Sequence, residues 1–386
     1  MIIENLLDTD LYKFTMQQAV LHRFPALDAE FAFRCRNTDV DLTAHIDEIK
    51  DEVDHLCSIQ FKDEELQFLK SLRFMKSDYI DFLKIFKLNR EFIHINSKEG
   101  RLDIRIKGPW LHTILFEVPV LAIVNEVYFR NTDPEPDYSL AMGLLSKKID
   151  IVKENSKIFR FADFGTRRRR SREWQREIIE TLVKKIGKNF IGTSNVLFAM
   201  ENSISPIGTM AHEFLQACQA TEVRLVDSQK FALECWVQEY RGDLGIALSD
   251  VVGMDAFLRD FDLYFCKLFD GARHDSGDPY VWCDKLIDHY GKMKVDPATK
   301  TAVFSDGLDF KKARDIALKY GHKINVVFGI GTNLTNDFGD EPLQIVIKMT
   351  KCNGQHVAKI SDTPGKTICE DDSFISYLKG VFKIKD

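Results

Sequence analysis

A recurring unit along the middle of this 386-residue chain constrains its fold more than any other feature. The unit is a short apolar run that ends in Gly, Ser or Asp and is usually followed by a segment with helical spacing. The runs recur every 20–35 residues or so, roughly the length of a parallel βα unit. A parallel α/β barrel, complete or incomplete, is therefore predicted, with a doubly wound sheet as the alternative. The runs are FRFADFG (159–165), NFIGTSN (189–195), VRLVDS (223–228), GIALSD (245–250), LYFCKLFDGARHDSGD (263–278), TAVFSDG (301–307) and INVVFGIGTN (324–333).

The residues before this region follow a different pattern. Apolar residues recur at helical spacing, and two alternating runs around residues 97–100 then predict a β-hairpin. We therefore predict an N-terminal α+β domain over residues 1–130 and a barrel domain over residues 131–339. A second hairpin pattern, around Asn353-Gly354, places residues 340–386 outside the barrel. The helical segments are 10–24, for which Thr9 is the predicted N-cap, 46–56 and 63–88.

Composition excludes several classes of protein. Hydrophobic residues make up 45% and charged residues 29%, which does not fit a disordered, collagen-like or coiled-coil chain. The net charge of −6 argues against a surface built to hold nucleic acid or anionic lipid. The eight cysteines form no C-x-x-C pair, which favours reduced thiols and a cytoplasmic location. The most apolar stretch, 111–129, is interrupted by polar residues, and the N-terminus does not resemble a signal peptide, so neither a membrane span nor a leader is predicted.

Polar residues close the predicted strands, at the edge where parallel α/β folds bind their ligands. Backbone N–H groups of a glycine-rich turn can cradle a phosphate, although the same glycines also suit a plain βα turn. An arginine grips phosphate or carboxylate, and an aspartate holds ribose hydroxyls or, through water, Mg²⁺; the alternative is an Asx turn with a surface ion pair. The residues concerned are Arg273, Asp275, Asp306, Gly307, Gly329, Gly331 and Thr332.

His212 lies in the first turn of a predicted helix capped by Thr209, where anions are favoured. A lone histidine is more often structural, but here it can also act as a nucleophile toward a phosphoryl group. Asp250, from another strand end, is the expected partner that orients it. The arginine run 167–172 suggests RNA binding, yet neighbours on a helix do not share a face, so only one or two can reach a strand-end site. Phe164 is either a core residue or a platform for an aromatic ligand.

Six motifs occur in a fixed order and together resemble the nicotinate phosphoribosyltransferase family, from about residue 8 to beyond 330. The resemblance implies an irregular, incomplete α/β barrel with an N-terminal domain that the C-terminal hairpin region joins. It implies ATP-assisted transfer of phosphoribosyl from phosphoribosyl pyrophosphate to nicotinate, which gives nicotinate mononucleotide and pyrophosphate for NAD salvage, with Mg²⁺ required. It also implies homodimers with shared active sites, Tyr12 acting in the neighbouring subunit's site. The motifs are DLYKFTM (10–16), DFGTRRR (163–169), GTMAHE (208–213), RHDSGDP (273–279), FSDG (304–307) and FGIGTN (328–333).

The resemblance also assigns roles to residues. Tyr12 and Phe164 would sandwich the pyridine ring, Arg167 would pair with its carboxylate, and His212 would be transiently phosphorylated by ATP. Asp275 would flank the ribose and pyrophosphate together with its neighbour Arg273. The resemblance does not assign the Mg²⁺ ligands; Asp275 and Asp306 are the candidates from residue chemistry, through water or substrate. The rim around the ribose 5-phosphate would comprise Asp306, Gly307, Gly329, Gly331 and Thr332.

Ser194 bears on the choice of substrate. It follows Gly192-Thr193, and nicotinamide-specific relatives carry an acidic residue at this position, so Ser194 favours a carboxylate substrate. Thr193 and Ser194 are accordingly expected to bind substrate. The alternatives are a nicotinamide or quinolinate phosphoribosyltransferase, a catalytically idle relative, and an RNA-binding protein, which the negative charge disfavours.

Overall fold

A computed structural model describes residues 1–361, 367 and 369–384. The strands are β1 Asp28–Cys35, β2 Ile93–Lys98, β3 Arg101–Pro109, β4 Phe161–Asp163, β5 Phe190–Thr193, β6 Arg241–Leu244, β7 Ile246–Leu248, β8 Gly271–His274, β9 Thr301–Phe304, β10 Asn325–Ile330, β11 Ile345–Cys352 and β12 Gln355–His356. The α-helices are α1 Leu11–Arg23, α2 Ile46–Ser58, α3 Asp63–Ser71, α4 Ser77–Ile85, α5 Trp110–Thr113, α6 Glu117–Thr132, α7 Tyr138–Glu154, α8 Arg172–Ile186, α9 Val196–Glu201, α10 His212–Ala217, α11 Ser228–Tyr240, α12 Met254–Asp260, α13 Leu263–Leu268, α14 Pro279–Lys292, α15 Phe310–Tyr320, α16 Thr332–Thr335 and α17 Asp372–Phe382.

The chain divides into two compact units. The first comprises Met1–Glu154, Phe161–Gly208 and Ile330–Lys348. The second comprises Asn155–Arg160, Thr209–Gly329 and Met349–Asp386. A compact unit is not necessarily a domain that folds alone, so the domain limits 1–130 and 131–339 stay a prediction.

The first unit contains an antiparallel sheet. β2 and β3 form the predicted hairpin, with Ile93 opposite Ile106 and Lys98 opposite Arg101, and β1 pairs with the other side of β3. β11 lies beside β1 in the same sheet, and the Arg36 amide donates to the Gln344 carbonyl just before β11 begins. The C-terminal hairpin region therefore contributes a strand to this sheet, as the predicted fold class requires.

The core of the first unit is built around the helical run Trp110–Thr132, which includes α5 and α6. By length and composition it is apolar enough to cross a membrane, but 94% of its most apolar window is buried inside the protein. Two acids interrupt it, and both are neutralised: Glu117 lies 2.6 Å from the Lys13 ammonium, and Glu126 lies 2.6 Å from the Arg169 guanidinium. Buried charges are retained only when they are paired, and this run shows that pattern.

Parallel strands occur in both units. In the first, β4 pairs with β5, and Asp163 lies opposite Thr193. In the second, β7, β8, β9 and β10 are parallel neighbours in that order. All the predicted strand ends except one therefore lie on parallel strands, which confirms the α/β pattern. In the longest run, 263–278, the first residues form α13 and the strand is limited to β8.

The run VRLVDS at 223–228 was predicted as a strand, and this prediction is wrong. Its centre is a 3₁₀ turn, Leu225–Asp227, closed by a hydrogen bond from the Asp227 amide to the Arg224 carbonyl. Val226 is 44% exposed, so the apolar residues of this run are not those of a buried strand. Short apolar runs do not distinguish a buried strand from a surface turn, because burial is set by the tertiary fold.

Two predicted helix caps are also wrong. α10 begins at His212 with Ala211 at the N-cap, while the Thr209 hydroxyl donates to the Ile246 carbonyl at 3.0 Å. α1 is preceded by Asp10 rather than Thr9 at the N-cap, and the Asp10 side chain makes no capping hydrogen bond. The Thr209 hydroxyl and the Asp10 carboxylate have tertiary partners, the Ile246 carbonyl and the Ser194 hydroxyl, and these partners compete successfully with the capping bond.

Candidate active site

One cluster of polar side chains lies at the carboxyl ends of β7, β8 and β9 in the second unit. Leu248 is in register with Arg273, and His274 with Phe304, so the residues that follow these strands meet at one edge of the sheet. Asp250 follows β7, Asp275 follows β8, and Ser305 follows β9. This is the edge at which parallel sheets bind ligands.

His212 and Asp250 form a buried pair in this cluster. Nε2 of His212 lies 2.8 Å from Oδ1 of Asp250, and their side chains are 7% and 1% exposed. Burial, and after it the positive charge of Lys359, lowers the pKa of His212 below its usual value. Burial alone would raise the pKa of Asp250, but His212 and Lys359 hold it well below its usual value. A neutral imidazole therefore donates its Nε2–H to an ionised carboxylate near pH 7.

The second oxygen of Asp250 is also engaged. Oδ2 lies 2.7 Å from the Lys359 ammonium and accepts a hydrogen bond of 2.6 Å from the Ser276 hydroxyl. Lys359 is not among the residues that the sequence analysis selected. The available signal is weak: a single lysine in the otherwise apolar stretch Val357-Ala358-Lys359-Ile360. A buried lysine of this kind needs a carboxylate partner, but the sequence does not say which.

Arg273 and Asp275 form a second pair, braced by Ser305. Nη2 of Arg273 donates to Oδ1 of Asp275 at 3.0 Å, and Nε of Arg273 donates to the Ser305 hydroxyl at 2.7 Å. The Ser305 hydroxyl lies 2.6 Å from Oδ1 of Asp275. Burial would raise the pKa of Asp275, but Arg273 and then His212 hold it well below its usual value. Oδ2 of Asp275 lies 3.7 Å from Nε2 of His212, so the two pairs are neighbours.

Three of these residues have the composition of a small metal cluster. His212, Asp250 and Asp275 each offer a ligand atom, and the three atoms lie within 4.8 Å of one another. Both oxygens of Asp250, however, already accept hydrogen bonds from His212, Lys359 and Ser276. Mg²⁺ prefers oxygen ligands and is usually held by one or two carboxylates together with water and substrate phosphates. The arrangement fits that type of site, with Oδ2 of Asp275 as the protein ligand, and not a three-residue cage.

In the first unit, Asp163 fixes the turn that carries Phe164 and Arg167. One carboxylate oxygen accepts the Gly165 amide at 2.8 Å, and the other accepts the Thr193 hydroxyl at 2.7 Å. Burial is the main cause that raises the pKa of Asp163, to about 6. The hydroxyl of Thr193 is thus committed to this turn, and its role in substrate binding stays a prediction.

The residues expected to face the pyridine ring start from neighbouring backbone segments. The Leu11 amide donates to the Ser194 carbonyl at 2.8 Å, which fixes the first turn of α1, and with it Tyr12, against the end of β5. The Ser194 hydroxyl donates to Oδ1 of Asp10 at 2.8 Å. Asp10 opens the motif DLYKFTM, but the sequence analysis did not select it as a site residue. Tyr12 and Phe164 are both half-buried.

The arginines of the 167–172 run point in different directions, as predicted. Arg167 is 29% exposed, and its Nη1 lies 3.5 Å from Oε1 of Glu117. The others form contacts inside the first unit, so they do not make a continuous basic strip. These contacts are Arg168 with Gln344, Arg169 with Asp8 and Glu126, Arg170 with Asp133 and Asp340, and Arg172 with Glu4.

Two glycines predicted to contact phosphate have backbone constraints of their own. A Cβ at Gly331 would lie 2.9 Å from the Phe164 carbonyl oxygen, so only glycine fits this close approach. Gly307, after Asp306, has φ +55°, in the left-handed region that favours glycine. Gly329 lies within β10, and Thr332 begins α16. These constraints account for the glycines by turn geometry, and the phosphate contacts stay a prediction.

Comparison with known proteins shows the family directly. Residues 159–386 match the model of the nicotinate phosphoribosyltransferase (NAPRTase) family, and residues 7–125 match the model of its N-terminal domain. The chain is 58% identical over 389 residues to a nicotinate phosphoribosyltransferase of Burkholderia mallei, covering 100% of this chain and 98% of that protein.

Solved structures of similar proteins agree. Nicotinate phosphoribosyltransferase from Vibrio cholerae matches with a TM-score of 0.96 and 39% identity, covering 100% of this chain and 94% of that one. The enzyme from Porphyromonas gingivalis matches with a TM-score of 0.94 and 34% identity, covering 99% and 100%. The predicted fold class, an irregular α/β barrel with an N-terminal α+β domain, is confirmed. The chain therefore belongs to the nicotinate phosphoribosyltransferase family.

Proposed function

We propose that this chain transfers the phosphoribosyl group of phosphoribosyl pyrophosphate to nicotinate, with ATP assistance, in a cytoplasmic NAD salvage reaction. The products are nicotinate mononucleotide and pyrophosphate. Relatives that are 58% identical over the whole chain support the nicotinate phosphoribosyltransferase activity. The buried pair of His212 and Asp250 is the observation that supports the ATP-dependent step of this proposal.

The pair has the properties that a transient phosphohistidine requires. Because Nε2 of His212 donates to Asp250, the lone pair of Nδ1 is the one that attacks. The Nδ1–phosphorus bond forms as the bond from the γ-phosphorus to its bridging oxygen breaks, and ADP leaves. The proton stays on Nε2, and ionised Asp250 stabilises the imidazolium that results. Phosphorylation adds about −1.5 to −2 charge beside Arg273, Asp275 and Lys359, which can reorganise this cluster around substrate.

The phosphoribosyl transfer itself needs little acid–base chemistry. The ring nitrogen of nicotinate carries a lone pair, which forms the bond to ribose C1 as the bond from C1 to pyrophosphate breaks. Arg273 is braced by Asp275 and Ser305, and its guanidinium would bind the leaving pyrophosphate. Mg²⁺ would neutralise part of the negative charge of pyrophosphate, held by Asp275 and, through water or substrate, by Asp306. Orientation and leaving-group stabilisation then supply most of the rate acceleration.

Nicotinate recognition is assigned to residues of the first unit. Arg167 is partly exposed, and a guanidinium binds a carboxylate through two parallel hydrogen bonds, so we assign Arg167 to the carboxylate of the substrate. Tyr12 and Phe164 are half-buried aromatic side chains suited to stacking on a pyridine ring. In a homodimer with shared active sites, Tyr12 would act in the neighbouring subunit's site.

One observation favours nicotinamide as a second candidate substrate. The carboxylate of Asp10 accepts a hydrogen bond from Ser194, at the position where an acidic group suits an amide donor. Burial raises the pKa of Asp10, while the nearby positive charge of Arg167 lowers it. A protonated or arginine-paired Asp10 repels a nicotinate carboxylate less than a free carboxylate would, so nicotinate remains our first choice.

The test is chromatographic product analysis after incubation with phosphoribosyl pyrophosphate, Mg²⁺ and one of three bases: nicotinate, nicotinamide or quinolinate. Each reaction is run with and without ATP. We expect nicotinate mononucleotide, in a larger amount when ATP is present. Product from nicotinamide or quinolinate alone would contradict the substrate assignment, and no product from any base would indicate a catalytically idle relative.

The ATP step has its own test. His212→Ala should abolish both the acid-labile phosphoenzyme formed from γ-labelled ATP and the stimulation by ATP. His289→Ala is the matched control, because His289 is equally buried in the second unit but contacts the Phe261 carbonyl instead of Asp250. Stimulation that survives in His212→Ala would refute the phosphohistidine.

A further inference from the structure

Lys13 is a fully buried lysine in the first turn of α1, and the proposed chemistry gives it no role. Its side chain is 0% exposed, and its ammonium lies 2.6 Å from Oε2 of Glu117, the first residue of α6. A buried ion pair is often no more stabilising than two apolar side chains of similar volume. The stability of the fold therefore does not account for a charged pair at this position.

The position of Lys13 is set by the protein and does not depend on substrate. At the start of α1, the Leu11 amide donates to the Ser194 carbonyl at 2.8 Å. One helical turn beyond Lys13, the Gln17 side chain donates to the Leu111 carbonyl at 2.8 Å, in the run that leads into α6. Helix α1 is therefore hydrogen-bonded to its surroundings on both sides of Lys13, and the ammonium is placed without help from a ligand.

The other oxygen of Glu117 faces Arg167, the proposed partner of the nicotinate carboxylate. Oε1 of Glu117 lies 3.5 Å from Nη1 of Arg167, and their side chains are 9% and 29% exposed. Burial alone would raise the pKa of this carboxyl, but Lys13, and after it Lys348 and Arg167, lower it to about 2. Glu117 is therefore ionised at neutral pH, and it is shared by a buried lysine and a partly exposed arginine.

The charges around Arg167 are nearly balanced, and Lys13 decides the balance. Two carboxylates, Asp10 and Glu117, interact with this guanidinium. Two further cations, Lys13 and Lys348, act on Glu117. Counted with both acids ionised, the three cations leave one surplus positive charge, which a substrate carboxylate would neutralise. Without Lys13, the remaining cations only match the acids, and an anionic substrate meets no surplus charge.

We propose that Lys13 is a positioning residue that sets the preference for a carboxylate substrate: it neutralises Glu117, so that the positive charge of Arg167 is left for the substrate. The inference rests on the proposed function for the identity of that substrate. Its physical content, the effect of Lys13 on the pairing of Arg167 with Glu117, is measurable in the protein without substrate. Lys13 acts through Glu117 and needs no contact with the reacting atoms.

The first readout is the steady-state kinetics of nicotinate mononucleotide formation, with nicotinamide as an uncharged competitor. At an effective dielectric constant of about 20, a unit charge about 10 Å away changes a binding constant about 15-fold. We therefore expect Lys13→Met to raise KM for nicotinate about 10-fold or more, and to change the inhibition constant of nicotinamide less than about threefold. The value of kcat should change less than KM, because the carboxylate takes no part in bond formation.

A double variant separates the loss of charge from damage to the fold. Lys13→Met combined with Glu117→Gln removes both charges of the pair and keeps an oxygen toward Arg167, so KM for nicotinate should return to within about threefold of the wild type. Lys13→Gln replaces Lys13→Met if the latter does not fold.

Lys148→Met is the matched control for the loss of a paired lysine. The Lys148 ammonium also lies 2.6 Å from a carboxylate oxygen, that of Asp337, in the same unit, and its removal should leave KM for nicotinate unchanged. An unchanged KM in the folded Lys13 variant, an equal rise in Lys148→Met, or no recovery in the double variant would overturn the proposal.

A second readout needs no substrate. Phenylglyoxal labels arginine side chains, and peptide mass spectrometry of the labelled protein gives the rate at Arg167. We expect this rate to fall severalfold in Lys13→Met, where Glu117 binds the guanidinium more strongly, and to recover in the double variant. Arg176 is the internal control, because it is 31% exposed and its own carboxylate partner, Glu201, is unchanged.

The labelling separates this inference from the proposed function. A wild-type protein that makes no product from nicotinate would refute the substrate assignment, while the labelling rates would still decide the effect of Lys13 on Arg167. An unchanged rate at Arg167 in Lys13→Met, or an equal fall at Arg176, would overturn the role of Lys13.

Discussion

Replacing Asp250 with asparagine would test the central cluster, because three donors converge on this carboxylate. His212, Lys359 and Ser276 all contact it within 2.8 Å, and the side chain is 1% exposed. An asparagine offers one acceptor oxygen and one NH₂ group, so at least one donor would face another donor and Lys359 would lose its counter-charge. Removing one partner of a buried ion pair typically costs about 3–5 kcal/mol, and we expect that loss in the free energy of unfolding at pH 7.

The pH dependence of this loss has a defined sign. The folded-state pKa of Asp250 lies well below its usual value, so the carboxylate stabilises the fold above the ordinary pKa of about 3.9 and loses this effect as the pH falls. The difference between wild type and Asp250→Asn should therefore be full at pH 7 and shrink on acidification below about pH 4. Urea denaturation, followed by tryptophan fluorescence and far-UV circular dichroism, measures it.

A double variant separates stability from chemistry. Adding Lys359→Met to Asp250→Asn removes the unpaired ammonium, so part of the lost stability should return. The stimulation by ATP should not return, because His212 still lacks the carboxylate that orients it and stabilises its imidazolium. An Asp250→Asn protein within about 1 kcal/mol of the wild type, with full ATP stimulation, would refute this account of the cluster.

Four further predictions follow from other contacts. Arg167→Leu should lower kcat/KM for nicotinate about 30-fold or more, because the proposed bidentate pair with the substrate carboxylate is lost. Any reaction with nicotinamide should be unaffected, and steady-state kinetics that show equal losses for both bases would contradict the assignment of Arg167 to the carboxylate. Because burial lowers the pKa of His212, the ATP-stimulated rate should stay level from pH 8 to below about 6.5 and decline only at lower pH. A pH–rate profile that declines already above pH 7 would contradict a neutral His212 as the nucleophile. Arg169→Met, which leaves two buried acids without their cation, should cost about 3–5 kcal/mol in urea denaturation, and a loss under about 1 kcal/mol would show that those acids are neutral in the fold. Mixing inactive Tyr12→Ala and Asp275→Ala subunits should restore part of the activity only if the two residues serve one site from different chains, and activity that stays absent after verified subunit exchange would exclude the shared site.

Local pattern was sufficient for much of the fold. Both hairpins lie where alternating residues flank a two-residue turn, at Glu99-Gly100 and at Asn353-Gly354, because such turns are encoded by the residues themselves. The parallel strands were predicted from apolar runs followed by helical segments. The same rule gave a false strand at 223–228, since only packing decides whether a short apolar run is buried.

The candidate site was predictable only in part. Strand ends in a parallel sheet share an edge, so sequence alone singled out Asp250 as the partner of His212 and Asp275 as a ligand-binding residue at a strand end. The hydrogen-bond partners of Asp250 and Asp275 could not be predicted in this way. Ser276 and Ser305 are ordinary turn serines by sequence, and nothing in the local pattern says that they brace the two carboxylates.

What the sequence determined by itself was the alternation of strands and helices, the two hairpins and the list of polar residues at strand ends, because each depends on residues close together in the chain. The tertiary structure alone decided which charges meet. It brought Lys359 to Asp250 across more than a hundred residues, and Arg169 to Asp8 across an even longer stretch. Electrostatic pairing depends on distance in space and on burial, and neither quantity is written in the spacing of residues along the chain.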